Sequence, residues 1–125
     1  FVEDVSVASI ERAREDFSRN DLPQRLARHH EDVDSAFWGW NHIWLDPAFR
    51  AWNIEAELDR IHCPVLAIQG LDDEYGTLEQ VRGIRRRLPA TRLLELPDCG
   101  HSPHRDQPEQ VIAACAEFIA ETMGR

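Results

Sequence analysis

The chain changes its hydrophobic period at Cys63. Before that point apolar residues recur at spacings of three and four, as on one face of an α-helix; after it, short unbroken apolar runs alternate with helical stretches. Val7, Ile10, Ala13 and Phe17 form one stripe, which predicts an amphipathic helix ending near Asn20. The next residues, "DLPQ", predict a restart with Asp21 as the cap, Pro23 in the first turn and Gln24 closing a capping box. Val33, Phe37, Trp40 and Trp44 place a third helix after Asp32, "DPAF" at Asp46 opens a short helical turn, and Ile54, Leu58 and Ile61 predict one more helix. His29 and His30 are expected at the end of the second helix, where the dipole favours positive charge. Trp38 and Trp40 cannot both share a helix face with Phe37, so at least one of the two rings is expected to point elsewhere.

In the second half, "CPVLAIQG" is continuously apolar, begins at a proline and ends at a glycine, as a strand buried on both sheet faces does. "TLEQVRGIRRRL" then predicts a helix with a capping box from Thr77 to Gln80 and an inner stripe of Val81, Ile84 and Leu88. "TRLLEL" is the second strand, and "DQPEQVIAACAEFIAETM" is the closing helix, with Asp106 and Glu109 at its start and Val111, Cys115 and Phe118 inward. The fold class predicted is therefore α/β, a helical segment over residues 1–53 followed by a β-α-β-α unit of a parallel sheet over residues 54–125. Two such strands leave edge hydrogen-bonding groups without partners. The sheet is thus expected to be incomplete, either because the chain is the C-terminal piece of a larger α/β protein or because copies self-associate through the exposed edge. A first residue that is Phe rather than Met agrees with the first alternative.

Composition narrows the partners. With 14 basic and 23 acidic residues the formal net charge is -9, which repels nucleic acid and anionic lipid, and the one basic cluster, Arg85 to Arg87, fans around a helix as a solvated face. No apolar run approaches the roughly 20 residues of a membrane span, and the N-terminus lacks a basic leader. Cys63, Cys99 and Cys115 are odd in number and widely spaced, which predicts reduced thiols and a cytoplasmic protein.

The chemistry gathers after the two strands. In open α/β sheets functional groups collect at the carboxyl ends of strands, and here the first strand runs into "GLDDEYGT" and the second into "DCGHSPH". Parallel neighbours would set the acidic loop beside the histidine loop. A carboxylate of Asp72 or Asp73 could then accept the Nδ1 proton of His101, leaving Nε2 as a general base, and Gly100 would allow the tight backbone path that displays the ring. Cys99, His101 and His104 also spell C-x-H-x-x-H, but a zinc site draws a fourth ligand from elsewhere, so no metal is expected. Cys99 as a nucleophile is disfavoured by its turn position, with no helix N-terminus aimed at it.

"PVLAIQGLDDEYGT" followed by "LLELPDCGHSPHRDQPEQVIAACAEFI" resembles the last two strands and helices of the α/β-hydrolase superfamily, over residues 61–122. The resemblance implies that Asp73, in the G-x-x-D turn, is the catalytic acid, with Asp72 the neighbouring alternative, and that His101, in the G-H turn, is the base. It also implies that residues 1–53 are the helical cap that roofs the substrate pocket. Trp38, Trp40 and Trp44 would then contact a small apolar or aromatic substrate, although aromatic rings in helices more often pack those helices together. No cofactor is implied. The chain departs from the family in the nucleophile: no G-x-S-x-G elbow occurs, and Ser6, Ser9, Ser18, Ser35 and Ser102 lack the required glycines. The expectation is therefore a fragment that supplies acid and base for ester, thioester or C–C hydrolysis and is inactive alone, the nucleophile being Ser, Asp or Cys. A non-catalytic ligand-binding or self-association module is the alternative.

Overall fold

The computed structural model describes residues 1–124; Arg125, the last residue of the predicted second segment, lies outside the described residues. The chain forms two compact units, one of Val2–Trp52 and one of Asn53 onward together with Phe1.

The unit Val2–Trp52 is built from α1 (Asp4–Arg19), α2 (Leu22–Leu26), α3 (Val33–Leu45) and a 3-10 segment, Pro47–Ala51. The predicted stripes meet between α1 and α3. Ile10, Phe17 and Phe37 are buried, and the rings of Phe17 and Phe37 stack 4.0 Å apart. Fully buried Asn41 donates from Nδ2 to the Ile10 carbonyl at 3.1 Å, which fixes the two helices in one axial register. Asp32 caps α3 by accepting from Ser35 N at 2.9 Å, and Asp46 caps the 3-10 turn by accepting from Ala48 N at 2.8 Å. Arg50 closes the unit on Asp4 and the Glu3 carbonyl.

Three local expectations are corrected in this unit. Asp21 makes no side-chain capping bond, because its backbone at φ -83° and ψ 11° is not the extended conformation that aims a cap side chain at the first turn; the Gln24 box does not form, and α2 is only five residues long. His29 and His30 follow α2 in a turn in which both amides bond the Leu26 carbonyl. Trp38 and Trp40 both reach Phe37, edge-on at 5.1 and 5.6 Å, since an indole is long enough to curl back over a neighbouring position.

In the second unit the segment predicted from Ile54, Leu58 and Ile61 is a 3-10 helix, Glu55–Arg60, tightened by bonds such as Ile61 N to Leu58 O, and Ile54 is exposed. Strands β1 (Leu66–Gly70) and β2 (Arg92–Leu96) pair in parallel, from Leu66 opposite Arg92 to Gly70 opposite Leu96. Helix α4 (Glu79–Arg87) is the crossover. Thr77 Oγ1 accepts from Glu79 N, and Gln80 Nε2 donates to the Phe1 carbonyl at 3.0 Å. Val81 is buried and Ile84 and Leu88 are half-buried, as the stripe requires. Arg82 grips Glu95 of β2 through two bonds, at 2.8 and 2.9 Å. That bidentate bond lowers the Glu95 carboxyl below its usual range and raises the Arg82 guanidinium.

The strands are less covered than predicted. Ala67, Gln69 and Leu96 are buried, whereas Leu66, Ile68, Leu93 and Leu94 are half-buried. The closing helix also starts later than expected: Pro103–Asp106 forms a short α5, and α6 runs Pro108–Met123, so Asp106 ends one helix rather than opening the other. Val111, Cys115 and Phe118 are half-buried on α6, Ile112, Ile119 and Met123 are exposed, and Arg92 anchors the helix to β2 through Glu117 and Glu121. Among the described residues no helix is long and apolar enough to cross a membrane.

Candidate active site

The parallel pairing brings the ends of β1 and β2 to one rim, and the backbone then stitches the two following turns together. Leu71 N donates to the Leu96 carbonyl at 2.8 Å and Asp72 N to the Cys99 carbonyl at 2.9 Å. This approach is possible because residue 70 has no side chain: a Cβ there would lie 2.0 Å from the Cys99 oxygen. The residue with a left-handed backbone is Asp98, at φ 50°, and no glycine among the described residues has positive φ, so the special backbone path expected of Gly100 is corrected. Aspartate tolerates that region because its short polar side chain can bond locally. Gly100 instead donates its N–H to Asp106 Oδ2 at 2.9 Å, tying the histidine turn to α5.

The stitched turns place Asp73 Oδ1 2.9 Å from His101 Nδ1. A carboxylate only accepts, so the ring nitrogen facing it donates, and the neutral imidazole keeps its lone pair on Nε2. The Asp73 side chain is 9% exposed and that of His101 59%, so the carboxylate is shielded while the ring reaches solvent. Tyr75 N donates to Asp73 Oδ1 at 2.9 Å and Gln69 Nε2 to Oδ2 at 3.2 Å, while the Tyr75 ring lies 4.9 Å from that of His101. Of the two predicted acids, Asp73 faces the histidine and Asp72 is exposed. His104 is exposed on α5. Glu74, Gly100, His101, Ser102, Arg105 and Asp106 line an open polar hollow of about 410 Å³ beside the ring.

Trp38, Trp40 and Trp44 lie within the unit Val2–Trp52, each half-buried against other rings: Trp38 on Phe17, Phe37 and His42, Trp40 on Phe37, and Trp44 on Phe49 and Trp52. Sequence reasoning missed Gln69, Gly70 and Tyr75. Gln69 left one signal, a lone amide inside an otherwise apolar strand. Among the described residues no three His, Cys, Asp or Glu side chains are grouped as a metal ion requires.

Cys99 is buried beneath the histidine turn, and burial, reinforced by the charges of Asp106, Asp72 and Asp73, pushes its thiol up from the ordinary value of 9.0. Such a thiol is a poor nucleophile at neutral pH. Exposed Cys63 should therefore react with a thiol reagent about 100-fold faster or more than Cys99 in the folded chain, the difference vanishing in denaturant. Mass spectrometry after timed alkylation checks this, and early labelling of Cys99 would contradict it. The same shift carries a sign for stability. Below pH 9 the folded and unfolded chains both hold the proton, whereas above it the unfolded thiol releases a proton that the fold retains, so this contribution to stability is lost as pH rises.

The model of the alpha/beta hydrolase family matches residues 4–114, and the chain belongs to that family. Among curated proteins it is similar to a pimeloyl-acyl-carrier-protein methyl ester esterase of Nitrosomonas europaea, 34% identical over 61 residues, covering 49% of this chain and 24% of the relative. It is also similar to the rhodomycin D methylesterase of Streptomyces peucetius, 36% identical over 69 residues, covering 54% of this chain and 23% of the relative. The chain thus spans about a quarter of the length of these relatives. Among solved structures, a serine hydrolase involved in carbazole degradation superposes with a TM-score of 0.59 at 18% identity, over 72% of this chain and 35% of that one. A thermophilic esterase from Thermogutta terrifontis superposes at 0.56 and 22% identity, over 96% of this chain and 52% of that one. These superpositions show the α/β-hydrolase fold.

Proposed function

We propose that Asp73 and His101 are the orienting acid and the general base of an ester-hydrolysing α/β-hydrolase whose nucleophile lies outside these 125 residues. The observation that carries the reading is the 2.9 Å contact from the shielded Asp73 carboxylate to Nδ1 of the solvent-reaching His101. In the proposed reaction Nε2 takes the proton of a nucleophilic hydroxyl as that oxygen attacks the ester carbonyl. The same nitrogen then protonates the departing alkoxide, Asp73 stabilises the imidazolium formed in between, and a water deprotonated by Nε2 attacks the acylated nucleophile and releases the carboxylic acid. Two similar proteins are named as methyl ester esterases, which favours a small alkoxy leaving group. The half-buried rings of Trp38, Trp40 and Trp44 favour an apolar or aromatic acyl portion, with residues 1–53 as the cap segment.

The test is acylation by a short aryl ester in the polypeptide that the complete reading frame encodes. A burst of aryl alcohol, with the acyl group found on a residue outside these 125, supports the reading, and an acyl group on Cys99, Ser6, Ser9, Ser18, Ser35 or Ser102 overturns it. The 125-residue chain alone should show no burst. Its sheet has only β1 and β2 among the described residues, so we also propose that it self-associates through an outer strand edge, and light scattering that finds a strict monomer contradicts that.

A further inference from the structure

Gln69 is a polar side chain near the carboxyl end of β1, and its residue is 6% exposed. Its amide nitrogen makes two bonds, to Asp73 Oδ2 at 3.2 Å and to the Gly76 carbonyl at 2.9 Å. Both partners are acceptors, so the opposite amide orientation would set an oxygen against two oxygens; the network assigns the NH2 group. The consequence is that Gln69 Oε1 is buried with no hydrogen-bond partner. An orphaned buried acceptor costs stability that an apolar side chain of the same length would not. The amide therefore gives up its acceptor to present two donors, one to each end of the acidic turn.

We infer that Gln69 is a positioning residue for the acid, a clamp that holds Asp73 in the rotamer that receives the His101 Nδ1 proton. The inference rests on the proposed acid and base roles of those two residues. Three donors converge on the carboxylate, and they divide the work. Tyr75 N and His101 Nδ1 share Oδ1, whereas Gln69 Nε2 holds Oδ2, so Gln69 is the contact that stops the carboxylate from rotating about its Cβ–Cγ bond. By also holding Gly76 O, Gln69 fixes the length of the turn between strand end and α4. A carboxylate left to rotate would share its contact with water and free the ring to adopt either tautomer.

The test uses Gln69→Met, which keeps the shape and removes both donors and the orphaned acceptor. In the folded 125-residue chain, ¹⁵N NMR of neutral His101 is expected to report the Nδ1–H tautomer for the unaltered protein and a mixture for Gln69→Met. In the complete reading-frame protein, kcat for an aryl ester is expected to fall about 10-fold to 100-fold with KM unchanged; because the Gly76 carbonyl and Asp73 Oδ2 each lose a donor, the denaturation midpoint is expected to fall modestly as well. An unchanged tautomer and kcat in Gln69→Met overturns the clamp and leaves the acid and base reading intact. An Asp73→Ala chain, which has no acceptor there, whose His101 tautomer matches that of the unaltered protein overturns that reading itself. The unaltered chain gives a readout that no variant's folding affects: the Gln69 side-chain amide protons should exchange with solvent about 10-fold slower or more than those of exposed Gln24, and equal rates overturn the clamp.

Discussion

His101→Ala is expected to lower kcat/KM for a short aryl ester by on the order of 10⁴ or more in the complete protein, with Asp73→Asn close behind at about 10³ to 10⁴. At about 1.4 kcal/mol per decade, those losses are roughly 4 to 6 kcal/mol of transition-state stabilisation. The two changes remove different things. Without the ring nothing takes the nucleophile's proton. In Asp73→Asn the ring remains, but the side chain then carries one oxygen and one NH2 group where Tyr75 N, His101 Nδ1 and Gln69 Nε2 all donate, so at least one donor faces another donor. The ring then loses the negative charge that stabilises its protonated form. Stability separates these effects from general damage: the His101 side chain is 59% exposed, so its removal should shift the denaturation midpoint little, whereas Asp73, 9% exposed and holding three donors, should cost more. Steady-state kinetics beside a denaturant titration of each variant measures both. Full activity in His101→Ala would end the proposal that this ring is the base.

The sheet pairing and the meeting of the acidic turn with His101 are legible in the sequence because both follow from topology. Apolar runs bounded by Pro64 and Gly70, and by Thr91 and Pro97, read as buried parallel strands, and parallel strands deliver the loops that follow them to the same rim. What the pattern does not carry is which of two adjacent carboxylates faces the histidine. Asp72 and Asp73 differ only in how the chain turns after Leu71, and that turn is set by the Asp72 N to Cys99 O bond, a contact between residues far apart in sequence. Asp21 fails as a box member for a related reason, since a capping motif specifies possible partners and the backbone angle decides between them. Asp106, expected to open the last helix, is drawn instead to Gly100 N, because Pro103 starts a separate turn and Pro108 restarts the helix. Gln69 reads as a lapse in an apolar strand until its two acceptors are seen.

The role of Gly70 gives the second large effect. Gly70→Ala is expected to destabilise the second unit by about 3 kcal/mol or more and to part the two turns that carry Asp73 and His101. The added Cβ would sit 2.0 Å from Cys99 O, 2.5 Å from Cys99 C and 2.5 Å from Gly100 O, all backbone atoms, so no side-chain rotation relieves the overlap. Relief requires the Cys99–Gly100 segment to withdraw by about 1 Å or more, given that unbonded carbon and oxygen rest at about 3.3 Å or beyond. Withdrawal stretches the bonds from Leu71 N and Asp72 N that hold the turns together, and with them the Asp73–His101 contact. Gly39→Ala is the matched control: in the middle of α3, with nothing within 4 Å of the added Cβ, it should stabilise its helix by about 0.5 to 1 kcal/mol. Opposite shifts in denaturation midpoint for the two alanines, with the His101 tautomer lost only in Gly70→Ala, would tie the site's geometry to the bare backbone at residue 70. A Gly70→Ala protein as stable as the unaltered chain would mean that the two turns do not approach as closely as the Asp73–His101 pair requires.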